Sequence, residues 1–171
     1  MRLADQSDLP ALVELMREFY AESGFPLETE RARAAFSAVL ADPRLGRVWL
    51  VEQGGTVAGY VVVTAGFAME YGGTVGVVDD LFLRPAFRGH GLGTAVLAEV
   101  RRACDEFGLR ALRVEVGRDN PAAQAMYRSA GLAAVDHQLM TLRLSSPLHE
   151  AGSAGANADG ARPASEREHD G

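Results

Sequence analysis

The sequence holds little that would tie it to an oxidising compartment, a membrane or a nucleic acid. Its 171 residues include one cysteine, Cys104, so an internal disulfide is excluded. A reducing compartment is expected. Cys104 stands in a helical pattern with Ala103 and Phe107 and reads as a small, half-buried packing residue rather than a nucleophile. No apolar run approaches the ~20 residues needed to cross a bilayer, and no leader-like stretch precedes the first helical pattern. A cytoplasmic protein with no membrane partner follows as the expectation. Positive charge is scarce: 17 Lys and Arg against 23 Asp and Glu leave a net charge of −6. That argues against nucleic acid as a partner and mildly favours a cationic substrate. The histidines are scattered, which leaves no metal constellation.

The apolar share of 47% suits an ordinary globular protein and can fill one core. From Ser145 onward the chain reads SSPLHEAGSAGANADGARPASEREHDG, with five acids against two arginines and almost no large apolar residue after Leu148. Such a stretch cannot bury enough surface to offset chain entropy. The expected organisation is therefore one domain over residues 1–144 and a disordered, acidic, Ala/Gly-rich tail over 145–171.

Periodicity predicts the order α-α-β-β-β-α-β-α-β. Asp8 is placed to cap a first helix whose apolar face is Leu9, Leu12, Val13, Met16, Phe19 and Tyr20. A second helix is expected from about Glu28 to Leu40. "RVWLVEQ" and "TVAGYVVVTAGFAM" read as strands joined by a two-residue turn at Gly54-Gly55. "TVGVVDDLFLRP" is a third strand. Leu92, Ala95, Val96, Val100, Ala103 and Phe107 mark a helix ended by Gly108, followed by the strand "RALRVEV". Asn120 caps the last helix, Pro121 opens it and Gly131 ends it. "AAVDHQLMTLRL" closes the domain with one or two strands. Hairpins make the early strands antiparallel, and the strand–helix–strand unit from Thr74 to Val116 makes one parallel pair. The fold class is α/β (α+β): a mixed central sheet with helices on both faces.

The chemistry starts in "LFLRPAFRGHGLGTAVLAEV", residues 81–100. Gly89, Gly91 and Gly93 stand between a strand and a helix, where free N–H groups and the helix dipole attract an anion. Arg88 adds a charge. Glycine-rich turns of this kind also occur with no ligand. A P-loop needs a lysine after its glycines, and the loop has none; the dinucleotide fingerprint needs G-x-G-x-x-G, and the spacing here is G-x-G-x-G.

With Arg88–Gly93 matching [QR]-x-x-G-x-[GA] at every position, and with "RVEV" followed by "NPAAQAMYRSAGL" over 120–132, the sequence resembles the GCN5-related N-acetyltransferase (GNAT) family across roughly residues 3–144. The resemblance implies a GNAT fold whose parallel strands splay apart around acetyl-CoA. Backbone contacts to the pantetheine arm would fall on Leu81, Phe82 and Leu83. Pyrophosphate contacts would fall on Arg88, Gly89, Gly91, Gly93 and Thr94, with His90 and Leu92 in the same loop. Asn120, Ala123 and Tyr127 would face the arm, with Tyr127 as general acid toward the sulfur. Direct transfer in a ternary complex, without an acyl-enzyme, is implied. The resemblance also implies that a homodimer could form, with the last strands as the place for its interface.

Two consecutive acids, Asp79 and Asp80, stand in an otherwise apolar strand, where an unpaired charge is costly. Strict alternation places Asp79 with Leu81 and Leu83, and Asp80 with Phe82 on the opposite face. The resemblance implies a base at Asp79, with Asp80 in reserve. The plainer reading of either is a carboxylate bound to an arginine or a backbone N–H. Acceptor contacts are expected from Phe19, Tyr20 and Phe25, and from Met69, Glu70 and Tyr71 in the "MEYGG" turn, although local packing would explain them too. A primary amine is the expected acceptor, either a small amine or an amino-acid-like molecule. The alternatives are a protein N-terminus or lysine, and a non-catalytic acyl-CoA sensor.

Overall fold

The computed structural model describes residues 1–136, 138–142 and 144. The tail expected over 145–171 lies outside the described residues. By internal contacts the chain falls into two units, Met1–Ala134 and Val135–Gly171.

In the first unit, β1 (Arg2–Leu3), β2 (Gly46–Gln53), β3 (Thr56–Ala68), β4 (Gly73–Leu83) and β5 (Leu112–Val114) form one sheet in that spatial order. β1 to β4 pair antiparallel and β5 runs parallel to β4. The helices are α1 (Leu9–Ser23), α2 (Thr29–Ala41), α3 (Leu92–Glu106) and α4 (Pro121–Ser129). Gln53 pairs with Thr56 across Gly54 and Gly55, whose φ values of +58° and +76° give the two-residue hairpin expected there. β4 and β5 are joined through α3, a connection long enough for a parallel pair.

The period-two alternation of the strands divides the core into two layers. Val48, Leu50, Tyr60, Val62 and Phe82 point to one face and pack with Leu12, Val13, Leu15 and Phe36 from α1 and α2. Trp49, Val51, Val61, Val63, Val78 and Leu83 point to the other and pack with Val96, Val100 and Cys104 of α3. Cys104 is thus a buried packing residue, and burial pushes its thiol up to about 11. Among the described residues no helix is long and apolar enough to cross a membrane.

Three local expectations change. The Asp8 side chain does not cap α1. Instead its carboxylate accepts both terminal nitrogens of Arg2 at 2.8 and 2.7 Å and the Asp5 N–H at 3.0 Å. Asp5 in turn accepts from the Ser7 N–H, which closes a capping box on the 3-10 turn Gln6–Asp8 before α1. β5 has three residues rather than the seven of "RALRVEV". No strand forms among the described residues of 133–144, where Val135, Leu139, Met140, Leu142 and Leu144 are exposed. Apolar alternation there is a strand propensity without a ladder, and propensity alone does not hold a strand.

Leu12 is fully buried between α1, α2 and the sheet. Leu12→Ala should lower the unfolding free energy by about 2–5 kcal/mol, read from denaturant titration at constant m.

Candidate active site

The site is built around an irregularity in β4. Val62 pairs with Asp80, but the next residue of β3, Val63, pairs with Val78. Asp79 is therefore an extra residue, a β-bulge. The bulge resets the alternation. Val78 belongs to the α3 layer and Phe82 to the α1/α2 layer, although an unbroken strand would put both on one face. Asp79 consequently does not share a face with Leu81 and Leu83. It lines the same small cavity as Asp80, about 70 Å³, on the α1/α2 side with Met16, Phe36, Val62 and Thr64.

The two acids differ in surroundings. Asp79 is exposed, whereas Asp80 is largely withdrawn from water. Its Oδ2 accepts a hydrogen bond from the Tyr60 hydroxyl at 2.8 Å. Desolvation pushes the Asp80 carboxyl up to about 6; the Tyr60 bond pulls it down and the neighbouring Asp79 charge pushes it up. Burial and the Asp80 charge hold Tyr60 well above the usual phenol range, so it remains a donor. Tyr60 was not among the expected site residues. It pairs with Phe82 and so lies diagonal to Asp80 on one face, a relation that exists only once the β3–β4 register is known.

Pairing between β4 and β5 covers Gly76–Val78 against Leu112–Val114 and stops at the bulge. Leu81, Phe82 and Leu83 pair with Val61, Tyr60 and Gly59 of β3 on one edge; among the described residues no strand pairs with their other edge. Beyond β4, Gly89 and Gly91 adopt φ of +81° and +80°, and a Cβ on either would meet nothing within 4 Å. The space over the loop is open, and only glycine takes that backbone cheaply. Gly91 precedes α3 without a side-chain cap, so the first N–H groups of α3 have no capping side chain, with Leu92, Gly93 and Thr94 in that turn. His90 is exposed in the loop. Gly93 has a second reason to be small: a Cβ there would fall 2.5 Å from the Met126 Sδ of α4. These features fit a pyrophosphate on the loop and an extended amide-bearing arm along β4.

The guanidinium of Arg88 is taken up within the protein. Its Nε donates to the Leu83 carbonyl at 2.6 Å and its two terminal nitrogens to the carboxylate of Glu22 at 2.5 and 2.8 Å. On α4, the Asn120 side chain accepts from the Ala123 N–H at 3.0 Å, the expected cap. Tyr127, seven residues on, is buried, and burial and then the Asp80 charge push its hydroxyl up. It therefore carries its proton at neutral pH.

Of the residues expected to meet the acceptor, one group converges on Asp80. Phe19 stacks on Phe82 with ring centroids 5.5 Å apart, and Phe82 lies 6.3 Å from Tyr60. Tyr20 packs edge-on against Phe19 and Phe25, and its hydroxyl is pushed up by burial, then by Asp80 and Asp79. The other group stays apart. Glu70 pairs with Arg113 at 2.5 Å and Arg113 lies over the Tyr71 ring, while Met69 is exposed. Gly73, which follows that turn, and Asp80 stand seven positions apart on β4, roughly 20 Å of strand.

Because folding raises its pKa, Asp80 contributes full stability only below pH about 4, and that contribution is lost as pH rises through about 6. Asp80→Asn should therefore raise the unfolding free energy at pH 8 by about 1–3 kcal/mol, with little gain at pH 4. In Tyr60→Phe the carboxyl loses the bond that favours its charged form, so its titration, followed by carbon NMR, should move above the wild-type value. A downward move would contradict this reading of the dyad.

A family model described as "Acetyltransferase (GNAT) family" matches residues 9–132. An integron cassette protein from the mobile metagenome of Cole Harbour Salt Marsh is 46% identical and superposes with a TM-score of 0.77, covering 87% of this chain and 93% of its own. A predicted acetyltransferase with acetyl-CoA from Clostridium acetobutylicum has 18% identity, a TM-score of 0.71 and coverage of 82% and 94%. An aminoglycoside acetyltransferase from an uncultured soil metagenomic sample, in complex with trehalose, has 16% identity, a TM-score of 0.69 and coverage of 85% and 95%. These last two share the fold alone. No curated protein matches. The family-model match over most of the domain and the 46% identical relative, with the glycine loop before α3, establish that the chain belongs to the acetyltransferase (GNAT) family of acyl-transferring enzymes.

Proposed function

We propose that the protein transfers the acetyl group of acetyl-CoA to a small cationic primary amine by direct attack, with Asp80 as general base and Tyr127 as general acid. The observation that carries this reading is the placement of a carboxyl with a raised pKa, Asp80, at the bulge where the β4–β5 pairing ends, close enough that its charge acts on Tyr127.

Acetyl-CoA supplies a thioester carbon open to attack by an amine. The backbone N–H groups from Gly89 to Thr94 would hold its pyrophosphate, and the free edge of Leu81–Leu83 would hold the amides of its arm. Asp80 suits the base because a pKa of about 6 leaves it ionised at neutral pH yet more basic than an exposed carboxylate. It accepts the proton that the ammonium must lose, directly or through one water. Asp79, at the mouth of the same cavity, adds a second negative charge toward the incoming cation. Tyr127 remains protonated and donates to the departing sulfur. Phe19 and Tyr20 provide the apolar wall. Glu70 and Tyr71, engaged with Arg113, take no part in this reading.

Thiol release from acetyl-CoA across a panel of small mono- and diamines, amino acids and a lysine peptide tests the proposal. Amine-dependent release is expected, highest with small cationic amines. Tyr127→Phe should lower kcat on the best amine by about 100-fold or more. Coenzyme A binding without amine-dependent release would support a sensor instead, and an unchanged kcat in Tyr127→Phe would remove the acid from the mechanism.

A further inference from the structure

The charged contacts of α1 form a pattern that the chemistry above does not use. Glu18 and Glu22 stand one turn apart on α1. Arg84 and Arg88 stand the same four residues apart, on either side of the 3-10 turn Pro85–Phe87 that leads into the glycine loop. Each arginine reaches in two directions. Arg84 gives Nε and one terminal nitrogen to Glu18 at 2.8 and 2.7 Å, and its other terminal nitrogen to the Val57 carbonyl at 2.8 Å. Arg88 forks onto Glu22 and gives Nε to the Leu83 carbonyl. Two guanidinium forks thus join one face of α1 to the sheet and to the entry of the loop. The chain has no lysine, and a lysine could not make these planar, two-toothed contacts.

Burial does not do this work. The buried residues of α1 are Leu12, Val13 and Leu15, all in its first half. Past Phe19 the helix runs out to Glu22, Gly24 and Phe25, all exposed. The last turn, next to the aromatic acceptor wall, is held to the body by the Phe19–Phe82 stack and the two ion pairs.

From this arrangement we infer that Glu22, through Arg88, is a positioning residue that couples the acceptor wall to the cofactor loop. The inference rests on the acetyl-transfer reading. On this account the Arg88 side chain serves as a strut to α1, and the loop backbone holds the phosphates. When the loop orders around coenzyme A, the strut orders the last turn of α1 with it and sets Phe19 and Tyr20 for the amine. Both pairs are partly exposed, with side-chain exposures of 30–46%, so losing one should shift an equilibrium by no more than about fivefold.

Hydrogen–deuterium exchange with and without coenzyme A, on wild type, Glu22→Gln and Glu14→Gln, is the test. Among the described residues the Glu14 carboxylate pairs with Arg17, inside α1, and joins neither strut, so its variant is the control. In wild type, coenzyme A should slow exchange at residues 88–94 and also at 19–25. In Glu22→Gln the effect at 88–94 should persist while that at 19–25 is lost; Glu14→Gln should behave as wild type. In steady state, Glu22→Gln should raise the amine KM about three- to fivefold and change the acetyl-CoA KM by less than about twofold. Persistence of the response at 19–25 in Glu22→Gln, or a loss confined to acetyl-CoA affinity, would overturn the strut. Absence of any effect of coenzyme A at 88–94 in wild type would overturn the acetyl-transfer reading as well.

Discussion

One extra residue in β4 is the constraint on which the proposed site depends. Asp79 has no opposite number on β3, and its insertion between Val78 and Asp80 swaps which faces the strand presents before and after it. Just before the bulge, Gly76–Val78 of β4 are paired on both sides, with β3 and with β5. After it, the β5 ladder ends, and among the described residues no strand pairs with that edge. The bulge also turns two carboxylates toward a single cavity. Without it, Asp79 would share a face with Leu81 and Leu83 and point into the α3 layer beside Val96, where an unpaired charge would be far costlier. A local defect of the ladder thus creates a place for an extended ligand and for a base beside it.

The remaining charges are arranged so that this acid is the exception. Nearly every other carboxylate with a resolved shift is drawn down by a partner: Glu18 by Arg84, Glu22 by Arg88, Asp42 by Arg44 and Asp8 by Arg2. These pairs sit at the surface, where each adds little to stability. Asp80 has only a neutral phenol as its partner, and desolvation dominates. A carboxyl held with a raised pKa costs stability at neutral pH, and such sites mark function more often than scaffolding.

Much of this was legible in the sequence, because the features concerned act locally. Gly54-Gly55 makes its hairpin whatever surrounds it, Asn120 caps α4 and Gly89 and Gly91 take left-handed backbone as a phosphate loop requires. The run "RVWLVEQ" reads as a strand in the sequence and lies within β2. What could not be read depends on register and on contacts across the fold. A bulge leaves no mark in composition, so Asp79 was expected beside Leu81 and Leu83. Tyr60 stands in the apolar run "GYVVV", and only the β3–β4 register brings its hydroxyl to Asp80. The charge of Arg88 suggested an anion, and only the path of α1 shows Glu22 in its fork. The alternation over 133–144 reads as strands in the sequence, but the described residues there form none, because a strand needs a ladder partner that a single segment does not carry.

The central claim is that the Asp80 carboxyl, raised by its surroundings, takes the proton from the amine. The pH dependence of kcat/KM for the best amine, in wild type and Asp80→Asn, tests it most directly. The account predicts an acid limb in wild type that falls tenfold per pH unit below about 6. In Asp80→Asn that limb should be lost and the plateau lowered by about 100-fold or more. An acid limb that survives unchanged in Asp80→Asn would contradict it and assign the proton to another group.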